Sequence, residues 1–422
     1  MRKTKILIYG FLVLASFSIG AGGTYYFSQH RTTAQISEPV DANLNEYQKF
    51  TAEIFDTIKE RYWEKITDEQ LAAIYKLGAE KLLDKSQSLE SMNRKGVLSM
   101  VDSITSSMPD EKKKIFTAEL ANIVLVNLKP FGRSQLLSEK QLQTISETVQ
   151  NKDSSTDLYA VLGLEKGASQ EDVDRAYNNK IKESGPVPIL ERAYNALLKP
   201  EAKQKYDQSG IEPTVEHRII KPDIFYMHVK KISPQTLDEF QKASDSTDRN
   251  PELKTLVLDL RGNIGGAIDI MPYFLGPFIG PDNYAYDFFH QDEYVPFKTK
   301  TGWLPSLVKF KKVVILIDGE SQSSAEVMAA TLKKYNVGVL IGSRTKGWGT
   351  IEQITPIKNQ FDPTQKFSLL LVHSLTLRED GQPIEGRGVE PTIYISDKNW
   401  PKLFQDYYNS PVLMQAIKNL LK

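Results

Sequence analysis

The stretch Val314-Ile-Leu-Ile-Asp-Gly-Glu-Ser-Gln-Ser-Ser-Ala-Glu-Val-Met-Ala-Ala-Thr331 decides the fold. It opens on an uninterrupted apolar run, the pattern of a strand buried on both faces. A small polar turn follows, and from Ala325 the apolar residues recur with helical spacing. A strand that feeds a helix through so short a turn places a serine hydroxyl at a helix N-terminus. The first backbone N–H groups there have no partner within the helix. That arrangement can mount a nucleophile beside donors for an oxyanion. The next stretch, Gly342-Ser-Arg-Thr-Lys-Gly-Trp-Gly-Thr350, decides whether the serine has a base.

Working outward, Ile224-Phe-Tyr-Met-His-Val, Thr255-Leu-Val-Leu-Asp-Leu, Val313-Val-Ile-Leu-Ile, Val337-Gly-Val-Leu-Ile, Phe367-Ser-Leu-Leu-Leu-Val-His and Thr392-Ile-Tyr-Ile read as strands. Helical patterns at 233–243, 267–278 and 325–335 alternate with them. The expected fold is therefore a layered α/β core over 217–395, with a mostly parallel sheet and flanking helices. Short helices at 396–422 finish it. Upstream, 44–150 reads as an all-α region. Phe50, Ile54, Ile58 and Tyr62 recur every four residues. Thr67 is placed to cap a second helix carrying Leu71, Ile74, Leu77 and Leu82. Such stripes are ordinary bundle core, and no chemistry is assigned to them.

Composition narrows the function. The chain has 422 residues, 53 basic and 53 acidic, so its net charge is zero and nucleic acid is not an expected partner. With no cysteine, thiolate metal sites, disulfides and a cysteine nucleophile are excluded. The five histidines are scattered, and neither a metal nor a cofactor is expected. Residues 6–27 are uncharged and mostly apolar, preceded by Arg2, Lys3 and Lys5. At about 1.5 Å per residue this segment just spans a hydrocarbon core of about 30 Å. We expect 1–30 to be a single-pass anchor, with the chain after about residue 30 extracytoplasmic and 31–43 a linker. A cleaved signal peptide is the alternative.

Between the helical region and the α/β core lies a small helical unit, 157–210. It carries Leu158-Tyr-Ala-Val-Leu-Gly-Leu, Ala168-Ser-Gln-Glu-Asp-Val, Ala193-Tyr-Asn-Ala-Leu and Lys205-Tyr-Asp-Gln-Ser-Gly. Ser169 and Asp172 form a loose capping box. The unit resembles a J-domain. That family stimulates an Hsp70 through a His-Pro-Asp tripeptide between its second and third helices. The tripeptide is missing here, where Ser184-Gly-Pro-Val-Pro188 is a shortened connection. An Hsp70 partner is therefore not expected, and the unit reads as a packing or docking module.

The α/β core resembles the catalytic domain of the C-terminal (tail-specific) processing peptidases, family S41. Four stretches carry the likeness, in the family's order: Leu256-Val-Leu-Asp-Leu-Arg-Gly-Asn-Ile-Gly-Gly266, Gly319-Glu-Ser-Gln-Ser-Ser-Ala-Glu-Val327, Val339 to Thr350, and Gly381-Gln-Pro-Ile-Glu-Gly-Arg-Gly-Val-Glu-Pro391. The resemblance places Ser323 on the family's nucleophile, with Ser321 and Ser324 as near substitutes. It makes the N–H groups of Gly265, Gly266 and the residue after Ser323, Ser324, the oxyanion donors. Ser323 and Glu326 also satisfy a capping box, which is compatible with that role.

The chain departs from the family at the base. The family sets a lysine between two glycines, and Trp348 stands there. An indole cannot take a proton from a hydroxyl. Lys346 lies two residues earlier. In an extended strand that spacing keeps one face and shifts the side chain by about 6.6 Å, which a lysine stem can largely span. Glu352, with Gln353 beside it, aligns with the residue that supports the family's base. The family's usual PDZ domain is also absent, its place taken by the J-like unit, so tail-specific capture is not implied. Two functions follow from the resemblance. One is an anchored serine peptidase using Ser323 with Lys346 as a displaced base, acting on a polypeptide substrate. The other is an inactive pseudo-peptidase that binds polypeptides.

Overall fold

The computed structural model describes residues 43–421 apart from 154, 186 and 379. The expected anchor at 6–27 lies outside the described residues. Among the described residues, no helix is long and apolar enough to cross a membrane.

The centre is a six-stranded sheet. Its strands are β2 (Val215–Lys221), β3 (Ile224–Val229), β4 (Thr255–Asp259), β7 (Lys312–Ile317), β8 (Val339–Gly342) and β11 (Ile393–Tyr394), in the order β11-β8-β7-β4-β3-β2. All neighbours run parallel except the β2–β3 hairpin. Side chains alternate across it as strand geometry requires. Leu256, Leu258, Ile315 and Ile317 pack into one core with the helices Pro234–Asp245, Met271–Ile279 and Ser324–Lys334. Val257, Val314 and Leu316 pack into another under the C-terminal helices Trp400–Tyr408 and Pro411–Leu420. Coverage on both faces is why these strands read as continuous apolar runs.

The expected layered α/β core with its mostly parallel sheet is present, and to it is added a second sheet, antiparallel throughout. It contains β1 (Gln135–Ser138), β5 (Tyr284–His290), β6 (Glu293–Lys298), β9 (Thr350–Pro356) and β10 (Phe367–Thr376). All ten residues of β10 are buried, so its sequence looks like that of a parallel core strand. The burial comes instead from the N-terminal helices on one face and the helix Glu139–Val149 on the other.

The upstream region contains the helices Glu46–Arg61, Asp68–Leu83, Arg94–Ser106, Asp110–Val126 and Glu139–Val149. It is not all helical: β1 leaves it to pair with β10. Phe50, Ile54, Ile58 and Tyr62 are buried as their spacing predicts. Thr67 caps the second helix with Gln70. Leu77 breaks the expected stripe. It is 63 % exposed, and the buried face runs through Leu71, Ala72, Tyr75 and Ala79 instead.

The J-like unit folds as four helices, Leu158–Leu162, Gln170–Ser184, Pro188–Leu198 and Pro200–Ser209, around Leu158, Leu162, Val173, Leu190, Ala193 and Leu197. Ser169 caps the second with Asp172. Arg192 fastens the unit to its neighbours through Asp153 and Glu212, both within salt-bridge distance.

Candidate active site

The Ser323 turn lies beyond the C-terminal ends of β4, β7 and β8, where open α/β sheets gather their loops. β7 delivers the chain into the turn before Ser323. Asp318 shapes that turn by accepting the N–H groups of Glu320 at 3.0 Å and Ser321 at 2.9 Å. Ser323 follows with φ +57° and ψ −124°. An L-residue held in so sparse a region costs on the order of 1–3 kcal/mol and persists only where its surroundings fix it. Here they do. The Ser323 N–H donates to the Glu326 carboxylate at 2.8 Å, and the Gln322 N–H donates to the Asn263 carbonyl at 2.9 Å. The two neighbouring serines are committed elsewhere. Ser321 Oγ donates to the Leu260 carbonyl, and Ser324 Oγ to the Gly266 carbonyl at 2.9 Å.

The glycine turn after β4 packs directly on this elbow. Asn263 is fully buried. Its Nδ2 donates to the Val229 carbonyl and its Oδ1 accepts the Gly265 N–H, both at 2.8 Å. Gly265 has φ +80°, and a Cβ there would lie 2.7 Å from Ser323 Cβ. Only glycine allows that approach. Of the three expected oxyanion donors, Gly265 is thus spent on Asn263. Among the described residues, no acceptor takes the N–H of Gly266 or of Ser324. These two amides flank the elbow and are suited to a carbonyl or oxyanion oxygen.

Opposite stands the loop between β8 and β9. Glu326, which sequence suggests only as a helix cap, is the hub that joins loop and elbow. It is fully buried and accepts from the Thr345 hydroxyl and from the Gly347 and Trp348 N–H groups, the latter two at 2.8 Å, as well as from Ser323. Burial pushes its carboxyl up to about 7, against four donors that favour the ionised form. The fourth sequence stretch is part of the same structure. The Gly386 N–H donates to the Gly347 carbonyl at 2.9 Å, and a Cβ on Gly349 would lie 2.2 Å from the Glu385 nitrogen.

The expectation that Lys346 and Trp348 share a face fails. Gly347 has φ +80°, so the chain turns between them instead of staying extended. Lys346 is exposed and its ammonium lies 3.4 Å from the Glu320 carboxylate. No hydrogen bond joins it to Ser323 among the described residues. Trp348 is buried. Its indole N–H donates to Glu352 Oε1 at 3.2 Å, and the Arg133 guanidinium sits 3.4 Å above its ring. Arg133, which sequence reading missed, comes from the loop before β1 and also pairs with Glu385 at 3.0 Å. Glu352 is buried on β9, accepts from the Thr350 hydroxyl at 2.6 Å, and has its carboxyl pushed up to about 7 by burial. Its Oε2 is buried without a partner among the described residues. Gln353 lies next along β9, where side chains alternate, and so belongs to the other face.

Residues 223–395 match the family model described as peptidase family S41. Among curated proteins, a carboxy-terminal-processing protease of Bartonella bacilliformis is 28% identical over 202 residues, 46% of this chain and 43% of that protein. Carboxy-terminal processing protease CtpB of Bacillus subtilis is 26% identical over 191 residues, 44% of this chain and 36% of that protein. The matched segments thus span less than half of these relatives. Among solved structures, the photosystem II D1 C-terminal processing protease aligns with TM-score 0.49 and 12% identity over 83% of this chain and 94% of that one. The α/β core at residues 223–395 is a domain of peptidase family S41.

Proposed function

We propose that the S41 domain binds extended polypeptide in the cleft at Ser323 and is a pseudo-peptidase. The observation that carries this reading is the base side. Trp348 is buried on Glu352 where the resemblance calls for a lysine, while the Lys346 ammonium lies at the surface beside Glu320. A serine hydroxyl without an adjacent base is a weak nucleophile. The open N–H groups of Gly266 and Ser324 would still hold a substrate carbonyl.

A second reading, a serine peptidase using Lys346, is favoured by the intact elbow. Ser323 keeps its strained backbone, a cost that usually goes with function. In that reading Lys346 turns from Glu320, takes the Ser323 proton as the hydroxyl attacks the peptide carbonyl, and later returns it to the leaving amine. In either reading the 6–27 stretch would anchor the chain, with the cleft outside the cytoplasm; carbonate-resistant fractionation of full-length protein checks that placement.

One experiment separates the readings. Wild type, Ser323→Ala and Lys346→Ala are incubated with an unfolded polypeptide, and binding and cleavage are followed together. Saturable binding without cleavage in all three supports the pseudo-peptidase. Cleavage by wild type that both substitutions abolish establishes the peptidase instead. Absence of binding overturns both.

A further inference from the structure

A second groove lies away from Ser323, where the J-like unit meets the outer strand of the central sheet. Its volume is about 630 Å³. One wall is the helical unit, with the Tyr177 and Tyr194 rings stacked 4.0 Å apart. The other is β2 with the helix Pro234–Asp245, and Leu198, Val215 and Ala243 add apolar lining.

Among the described residues β2 is an edge strand, paired on one side only. In an antiparallel pair, residues that exchange hydrogen bonds alternate with residues that do not. The Lys230 N–H donates to the Thr214 carbonyl, and Thr214 stands in register with Lys230. Glu216 and Arg218 therefore face β3. The main-chain groups of Val215, His217 and Ile219 face outward. Glu239 accepts the Val215 N–H at 3.1 Å. No partner takes the main-chain groups of His217 or Ile219 among the described residues, and the Ile219 side chain is 53% exposed. A free edge of this kind is a template for another strand.

Charge narrows the occupant. Most carboxylates along the groove are engaged: Glu216 by Lys230 and Asn195, Glu239 by the Thr214 and Val215 amides, Glu201 and Asp238 by Lys242. Lys199 and Arg218 have no carboxylate partner among the described residues. Lys199 Nζ donates to His217 Nε2 at 3.3 Å, and burial lowers the His217 imidazole to about 4, so that ring is neutral. Arg218 rests over the Tyr226 ring at 4.7 Å. Glu191, on the helical wall, has no cationic partner among the described residues, which puts an incoming acidic side chain on the β2 side.

We propose that this groove binds an extended acidic polypeptide segment. The segment adds to β2 as a further strand at His217 and Ile219 and sets its carboxylates against Arg218 on one face of the sheet or Lys199 on the other. The site is separate from the Ser323 cleft and does not depend on turnover there.

The test is fluorescence anisotropy of the full-length chain with a fluorescein-labelled ten-residue peptide alternating threonine and glutamate. Its comparators are the same peptide N-methylated at alternate residues and a version with lysine in place of glutamate. We expect saturable binding of the acidic peptide, weakened about tenfold by N-methylation through lost main-chain hydrogen bonds. Ile219→Pro, which removes an outward N–H from an edge strand that tolerates proline, should weaken it similarly. Arg218→Glu should weaken the acidic peptide and strengthen the lysine version. Indifference to both N-methylation and Arg218→Glu overturns the proposal, as does absence of binding. Binding that Trp348→Ala abolishes while Arg218→Glu leaves it intact puts the peptide in the Ser323 cleft. That result overturns the edge site and leaves the proposed function standing.

Discussion

The two sides of the Ser323 site differ in what they offer a substrate. On the bank of β7 and β4, the strained Ser323 elbow and the Gly265 contact hold the open N–H groups of Gly266 and Ser324 as donors suited to a carbonyl oxygen. On the bank of the β8–β9 loop, the backbone is held just as firmly by Glu326 and the 384–388 turn, yet the side chain on it is an indole. Scaffold and chemistry are therefore separable. The hydrogen bonds that shape the loop run through main chain and Glu326, so the residue between the two glycines can change without moving the elbow.

Placing a lysine between the two glycines sharpens that contrast most. Trp348→Lys places an amine beside Glu352, and polypeptide cleavage should rise by about 10²- to 10⁴-fold over wild type, the usual range for a positioned base. Adding Ser323→Ala should remove the gain. A Trp348→Lys protein that folds, binds and still does not cleave would show that the elbow is degraded as well.

Glu326→Ala addresses the hub. It leaves four donors of a buried site without their acceptor, and stability should fall by at least about 3 kcal/mol. Urea denaturation measures it. A loss under about 1 kcal/mol would mean that the two banks are held together by something other than this carboxylate.

Glu352 gives a comparably large effect that depends on pH. Its carboxyl is raised from 4.5 to about 7 in the folded chain, so the native state holds a proton that the unfolded state has released. The resulting stabilisation is complete below about pH 4.5 and is lost as pH rises through 7. At 1.36 kcal/mol per pKa unit the swing is up to about 3 kcal/mol. Glu352→Gln should flatten it, so the Tm difference between variant and wild type should shift in favour of the variant from pH 5 to pH 8. An unchanged difference would mean that this carboxyl does not titrate abnormally.

The smallest effect is expected at Lys346. Its pairing with Glu320 is at the surface, and Lys346→Ala should change stability by less than about 1 kcal/mol. A large loss of cleavage with so small a loss of stability would restore the amine to the chemistry.

Much of this was legible in the sequence, for identifiable reasons. The central strands declared themselves because burial on both faces leaves no polar alternation. The elbow was visible because a strand, a small turn and a helix are all local features. The antiparallel sheet was not. β10 has the same two-sided burial as a parallel strand, and β1 is four residues in an otherwise helical stretch. Lys346 and Trp348 part because of one torsion, the positive φ of Gly347, which residue spacing does not encode. Glu326 looked like a cap because its other donors come from some twenty residues downstream. Arg133 lies more than two hundred residues from Trp348, and no local pattern could pair them.

The pairing of β1 with β10 has a consequence for how the chain comes apart. The short strand Gln135–Ser138 contributes to a sheet whose other members all come from beyond residue 283. A protease that cuts between the helix ending at Val149 and the J-like unit would sever the backbone but not the ladder. The two fragments should co-elute on a sizing column under native conditions and part only in denaturant, so a nicked preparation would pass for an intact one until it is run on a denaturing gel.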